Sequence, residues 1–88
     1  MDRLIYCGKY IVTIHYSYRG DIPAGASIGY AYLFGSNKDM SNYKCDVKSG
    51  EKAVSFSFEV SETIETFQAR LVAAQPGIHV DTVEFNYQ

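Results

Sequence analysis

Few side chains in this 88-residue sequence carry reactive groups. His15 and His79 are the only imidazoles and Cys7 and Cys45 the only thiols, while ten Asp and Glu are scattered with no spacing that would set two of them across a scissile bond. A Ser or Cys nucleophile needs a base within hydrogen-bond reach, and nothing in the spacing brings Cys7 or Cys45 to either histidine. No GxSxG, HExxH or phosphate-cradling glycine loop is present. The two cysteines have neither CxxC nor zinc-ligand spacing, so we expect two free, mostly buried thiols. The chain is therefore expected not to be an enzyme.

Recognition is better served. In "KYIVTIHYSYR" the residues Tyr10, Val12, Ile14 and Tyr16 alternate with Ile11, Thr13, His15 and Ser17. If the strands pair as the alternation suggests, Thr13, His15, Ser17, Ser55, Ser57, Gln68 and Arg70 line one polar sheet surface with Tyr30 and Tyr32 beside it. Such a mixture suits sugars: flat rings stack on the apolar faces of pyranoses, and amide, guanidinium and imidazole groups fork hydrogen bonds to vicinal hydroxyls. The candidate ligand-binding residues are thus Tyr30, Tyr32, His15, Gln68 and Arg70. Their competing reading is structural: a solvated face, an Arg70 ion pair with Glu59 or Glu84, a satisfied histidine, and tyrosines in the core or an interface. The loops "RGDIPAG" and "GSNKDMSNY" offer a second location, through Asn37, Lys38, Asp39, Asn42 and Tyr43.

The elements that must position these groups read as strands. "IGYAYLFG" alternates Ile28, Tyr30, Tyr32 and Phe34 with Gly29, Ala31 and Leu33, and the sequence leaves open which set faces inward. "YKCDV" is a short strand. "KAVSFSFEV" puts Val54, Phe56, Phe58 and Val60 on a core face against Ala53, Ser55, Ser57 and Glu59. "TFQARLVAA" sets Phe67, Ala69 and Leu71 against Gln68, Arg70 and Val72; a helix over 61 to 74 competes, because Ser61 and Glu65 resemble capping residues. The alternation and the neighbouring strands favour a strand there too. In the last stretch, "IHVDTVEFNYQ", Ile78 and Val80 share one phase and Val83, Phe85 and Tyr87 the other, which a one-residue bulge near Asp81 and Thr82 would reconcile. Six or seven strands with turns between them predict an all-β antiparallel sandwich spanning residues 1 to 88 as one domain.

Composition narrows the partners. Eight Lys and Arg against ten Asp and Glu give a net charge of −2 with no basic block, which weakens the case for nucleic acid. No apolar run approaches the roughly 18 to 20 residues of a membrane span, and the first 20 residues do not read as a signal peptide. Thirteen aromatics, eight of them Tyr, supply dense buried area to a small core.

Three stretches, "GKYIVTIHYSYRG", "SGEKAVSFSFEV" and "QARLVAAQPGIHVDTVEF", stand in an order and spacing that resemble the C-terminal part of the CenC-like carbohydrate-binding modules. These are jelly-roll sandwiches attached to glycan hydrolases and frequent in phage tail proteins. The resemblance runs over residues 8 to 85, lacks the family's N-terminal portion and lacks its Trp after the Gly-Glu turn. It implies a jelly-roll-like fold, a glycan partner, a place on a virion or extracellular surface, and homo-oligomers, trimers among them. An incomplete sandwich would leave an edge for partners to bury. The family's structural calcium implies Asp81 as a ligand, although Ca²⁺ takes six to eight oxygens and the N-terminal contributors are missing. The alternative is a small structural or interaction protein that works through oligomerisation.

Overall fold

The computed structural model describes residues 3 to 88. Among them lie seven strands: β1 (Arg3–Ile5), β2 (Gly8–Tyr18), β3 (Ser27–Gly35), β4 (Lys44–Lys48), β5 (Ala53–Val60), β6 (Ile64–Ala73) and β7 (Ile78–Tyr87). They form two antiparallel sheets, one ordered β1-β6-β3-β4 and the other β5-β2-β7. The predicted sandwich is what the chain adopts, and the helical alternative over 61 to 74 gives way to β6. β1 escaped the sequence reading because three residues are too few to show a period.

The pairings are nested. β3 pairs with β4, β2 with β5 and β1 with β6, as if one long hairpin had been rolled up across two sheets. That is jelly-roll logic, and an eight-stranded jelly roll has four strands in each sheet. Here the next nested partner, the one for β7, is not among the described strands. β7 therefore ends its sheet with a free edge.

Alternation decides what is buried. The inward residues of β2, namely Tyr10, Val12, Ile14 and Tyr16, are all nearly inaccessible, and Val54, Phe56, Phe58 and Val60 of β5 pack beside them. From the other sheet come Ile5, Ala31, Leu33, Val47, Ile64 and Phe67. On β3 the small residues face in and Tyr30, Tyr32 and Phe34 face out, which settles the orientation that the sequence left open. A register shift between Ser27 and Gly29 lets Ile28 turn inward as well. Met40, inside the loop that reads as polar, plugs the core at 3% exposure.

On β7 the pairing with β2 steps from His15↔Thr82 to Tyr16↔Val80, so Asp81 is the extra residue of a bulge. Val80 and Val83 thereby both fall opposite inward residues of β2, Tyr16 and Ile14. Yet Val80 and Tyr87 remain 38% and 72% exposed, on a strand with no further described strand beside it. The expected pair of mostly buried thiols needs correcting for Cys7, which is exposed in the bend between β1 and β2; Cys45 is half-buried on β4, and both are free.

Two buried tyrosines anchor β2, one to the β1–β2 connection and one to the end of β4 in the opposite sheet. The Tyr10 hydroxyl donates to the Tyr6 carbonyl at 2.6 Å, and that of Tyr16 to the Lys48 carbonyl at 2.9 Å. Burial, reinforced by the neighbouring Tyr87 hydroxyl, pushes Tyr10 up to about 12. A tyrosine in the unfolded chain ionises near pH 10, so the stability tied to this group is complete below pH 10 and is lost as pH rises toward 12. Tyr10→Phe should cost about 1 kcal/mol near neutrality by removing the hydrogen bond. Its deficit relative to the parent should shrink between pH 8 and pH 11 in urea unfolding; a deficit that stays constant would contradict the assignment.

Candidate functional site

The outer face of the four-stranded sheet gathers aromatic rings and cations. Because β3 presents every second residue, Tyr30, Tyr32 and Phe34 form a line along the strand. Register places Lys44 of β4 and Arg70 of β6 on either side of Tyr32. In the next row Asp46 and Val72 flank Tyr30, and Gln68 lies opposite Phe34.

Within this array the side chains touch. The Tyr30 and Tyr32 ring centroids are 5.9 Å apart at a 34° tilt. Arg70 donates from Nη1 to the Tyr32 hydroxyl at 3.0 Å, while its Cζ sits 4.8 Å from the Phe34 centroid and 5.8 Å from that of Tyr32. Lys44 Nζ lies 4.4 Å from the Tyr30 centroid. Tyr30, Tyr32, Leu33, Ser41 and Lys44 line an open depression. Rings hold the two cations here, not carboxylates: among the described residues the ion pairs within 4.0 Å are His15 with Glu84 and His79 with Asp81.

Four of the five candidate residues, Tyr30, Tyr32, Gln68 and Arg70, thus share one face. His15 does not. It stands with Thr13, Ser17, Ser55 and Ser57 on the outer face of the three-stranded sheet, across the thickness of the sandwich from Arg70. Alternation tells inside from outside but not which of two sheets a strand joins, and the single polar surface read from the sequence is in fact two. The same partition removes the ion pair of Arg70 with Glu59 or Glu84, since both glutamates belong to the other sheet.

His15 has a local partner instead, with Nε2 2.9 Å from Glu84 Oε1. Thr13 and Ser55 share a 2.8 Å hydrogen bond, and Ser17 donates to Asp81 at 3.1 Å. Exposed pairs of this kind contribute between zero and about 1 kcal/mol. Together with Tyr16, Tyr18, Gly50 and Lys52 the groups His15, Ser17 and Asp81 line a second open depression near the bulge. Asp81 has the Ser17 hydroxyl and, at 3.9 Å, the His79 ring beside it. Among the described residues no three of His, Cys, Asp or Glu are placed to hold a metal ion, so the surroundings of Asp81 do not fit the calcium site that the resemblance implies.

Three of the five loop candidates, Asn37, Asp39 and Tyr43, are engaged within the fold. Asn37 donates to the Thr63 carbonyl at 2.9 Å, and the Asp39 carboxylate accepts from the Ser41 amide at 2.9 Å, which holds the Asp39 carboxyl below its usual range. Tyr43 packs edge-on to Phe58. Lys44 was missed by sequence reasoning, although the register of a short strand beside β3 was its only available signal. Phe34 shares the phase of Tyr30 and Tyr32, and its role as a support for Arg70 depends on the pairing of β3 with β6.

No family model, no curated protein and no solved structure matches the chain.

Gly29 shows how tightly the platform is built. A Cβ at this position would overlap the Val72 carbonyl oxygen, so β3 and β6 can approach beside Tyr30 only because the side chain is missing. Gly29→Ala should destabilise the fold by about 1 to 3 kcal/mol, the usual range for overpacking. Amide exchange should report the loss first along β3 and β6. A variant as stable as the parent would contradict the close approach.

Proposed function

We propose that this domain is a non-catalytic glycan-binding module that uses the outer face of the four-stranded sheet. The observation that carries the reading is the line Tyr30, Tyr32 and Phe34, an aromatic strip held half in and half out of solvent and bordered by hydrogen-bonding side chains. Pyranose rings present apolar C–H faces that stack on such rings, and Arg70 and Gln68 are of the type that grips the hydroxyls around them. The motif resemblance to carbohydrate-binding modules points the same way, and a virion or cell-surface setting would follow from it. Titration calorimetry guided by a glycan array tests the proposal. Tyr32→Ala and Arg70→Ala should each weaken binding about tenfold or more, equivalent to about 1.4 kcal/mol. His15→Ala, on the other outer face, should leave it unchanged; the reverse pattern would move the site to the three-stranded sheet.

A second reading, as an assembly domain, draws on the free edge of β7. We infer a two-fold pair in which β7 of one copy lies antiparallel to β7 of another, continuing the sheet across both. The favourable register sets Phe85 against its own copy, which brings Val83 to Tyr87 on the inner side and Glu84 to Asn86 on the outer side. A register one residue earlier sets Glu84 against itself, and the Asp81 bulge ends the pairing upstream. Such a pair would be a dimer, in place of the trimer that the resemblance implies. In sedimentation runs Asn86→Glu should weaken association and Asn86→Lys strengthen it; a monomer at all concentrations in the parent and both variants would retire the reading.

A further inference from the structure

We propose that the aromatic face is selective for acidic glycans, with the Arg70 guanidinium receiving a sugar carboxylate while the pyranose ring lies on Tyr32. The inference rests on the glycan-binding reading and narrows its ligand class.

Charge is the first argument. Lys44, Tyr32 and Arg70 stand in one cross-strand row, a cation on each side of a ring. Among the described residues neither cation has a carboxylate within 4.0 Å. Asp46 is the one acidic side chain in the neighbouring row, beside Tyr30. The protein as a whole is acidic at −2, yet this row is locally positive. Complementarity at such a spot favours an anion.

Geometry is the second argument. Arg70 is held in place by the Phe34 ring at 4.8 Å and by one Nη1 hydrogen bond to the Tyr32 hydroxyl. A guanidinium carries five N–H donors in a rigid fork that matches the two oxygens of a carboxylate, so the hydrogen bond to Tyr32 leaves a fork for the ligand. With the ring and the fork on adjacent strands, a sugar stacked on Tyr32 would carry its carboxylate toward Arg70. Lys44 adds a second positive point on the far side of the row.

A polyanion with a charge at every step fits less well. A nucleic acid strand would need cations along its whole track, whereas the next row here holds Asp46 and Val72. A discrete carboxylate on an otherwise stackable ring asks only for what the row contains. A neutral sugar, by contrast, would meet the guanidinium with hydroxyls alone and leave its charge unmatched, so preference is expected between acidic and neutral forms of the same ring.

Oligosaccharides of galacturonate, guluronate and glucuronate-containing repeats, each paired with its carboxyl-reduced neutral counterpart, provide the test by titration calorimetry at low salt. The acidic member of at least one pair should bind tenfold or more tightly than its reduced form, with the difference shrinking as salt rises. Arg70→Gln should bring the acidic form down to the level of the reduced one while changing the reduced form little, whereas Tyr32→Ala should weaken both. Amide NMR spectra verify that each variant is folded, and Lys44→Gln, which should lower the acidic preference by a smaller factor, serves if Arg70→Gln is not. Equal binding of acidic and reduced forms would overturn the acidic selectivity and leave the glycan-binding reading standing. Binding of neither, in this set or on a broad array, would overturn both. Tighter binding of single-stranded DNA than of any uronate would also overturn the inference and assign the face to nucleic acid.

Discussion

The rest of the structure depends on the alternation of β2. This strand is the centre of the three-stranded sheet, paired with β5 on one side and β7 on the other, and its inward residues are sealed from end to end. A two-residue period allows no drift, since slipping by one position would exchange Tyr10, Val12, Ile14 and Tyr16 for Ile11, Thr13, His15 and Ser17. The hydroxyls of Tyr10 and Tyr16 reinforce the register by donating to the Tyr6 carbonyl in the β1–β2 connection and to the Lys48 carbonyl of β4. A buried tyrosine must place its hydroxyl somewhere, and that of Tyr16 ties β2 to the other sheet while that of Tyr10 fixes the turn leading into β2.

Rolling the chain around β2 determines what stays open. Three nested pairs close, while β7 pairs on one side only, so the side chains that face inward from it are partly wet. The opening shows in the crevices between β1 and β7, where Arg3 lies 4.1 Å over the Phe85 ring and Tyr6, Tyr10 and Tyr87 line the neighbouring hollow. The Asp81 bulge serves both sides of this edge. It keeps Val80 and Val83 in the same layer and interrupts the flat run of backbone that a further strand would need upstream.

The aromatic face has a different origin. Nothing in the core requires Tyr30, Tyr32 and Phe34 to be aromatic, because the inner positions of β3 are filled by Gly29, Ala31 and Leu33. The missing side chain of Gly29 leaves room for the Val72 carbonyl of β6, and the large outer residues spread over the neighbouring strands. Arg70 and Lys44 then lie on rings instead of reaching for carboxylates. Cations held in this way are positioned but not neutralised, which is the physical basis for reading the face as a binding surface.

Much of this was legible in the chain alone. The strands from β2 to β7, the inward faces of β2, β5 and β6, and the bulge near Asp81 all follow from two-residue alternation and its one interruption, since burial of one sheet face leaves that signature locally. Gln68 and Arg70 could be named as surface candidates for the same reason, whereas Tyr30 and Tyr32 are candidates by residue type, with the orientation of β3 settled only by the structure. Their separation from His15, the cation row completed by Lys44, the burial of Met40 and the existence of β1 required the tertiary structure. Strand partners here lie far apart in sequence, as with Tyr10 and Tyr87 or Tyr32 and Arg70. Local periodicity records which way a side chain points; which sheet it belongs to, and what lies beside it, is decided by the long-range pairing of backbones.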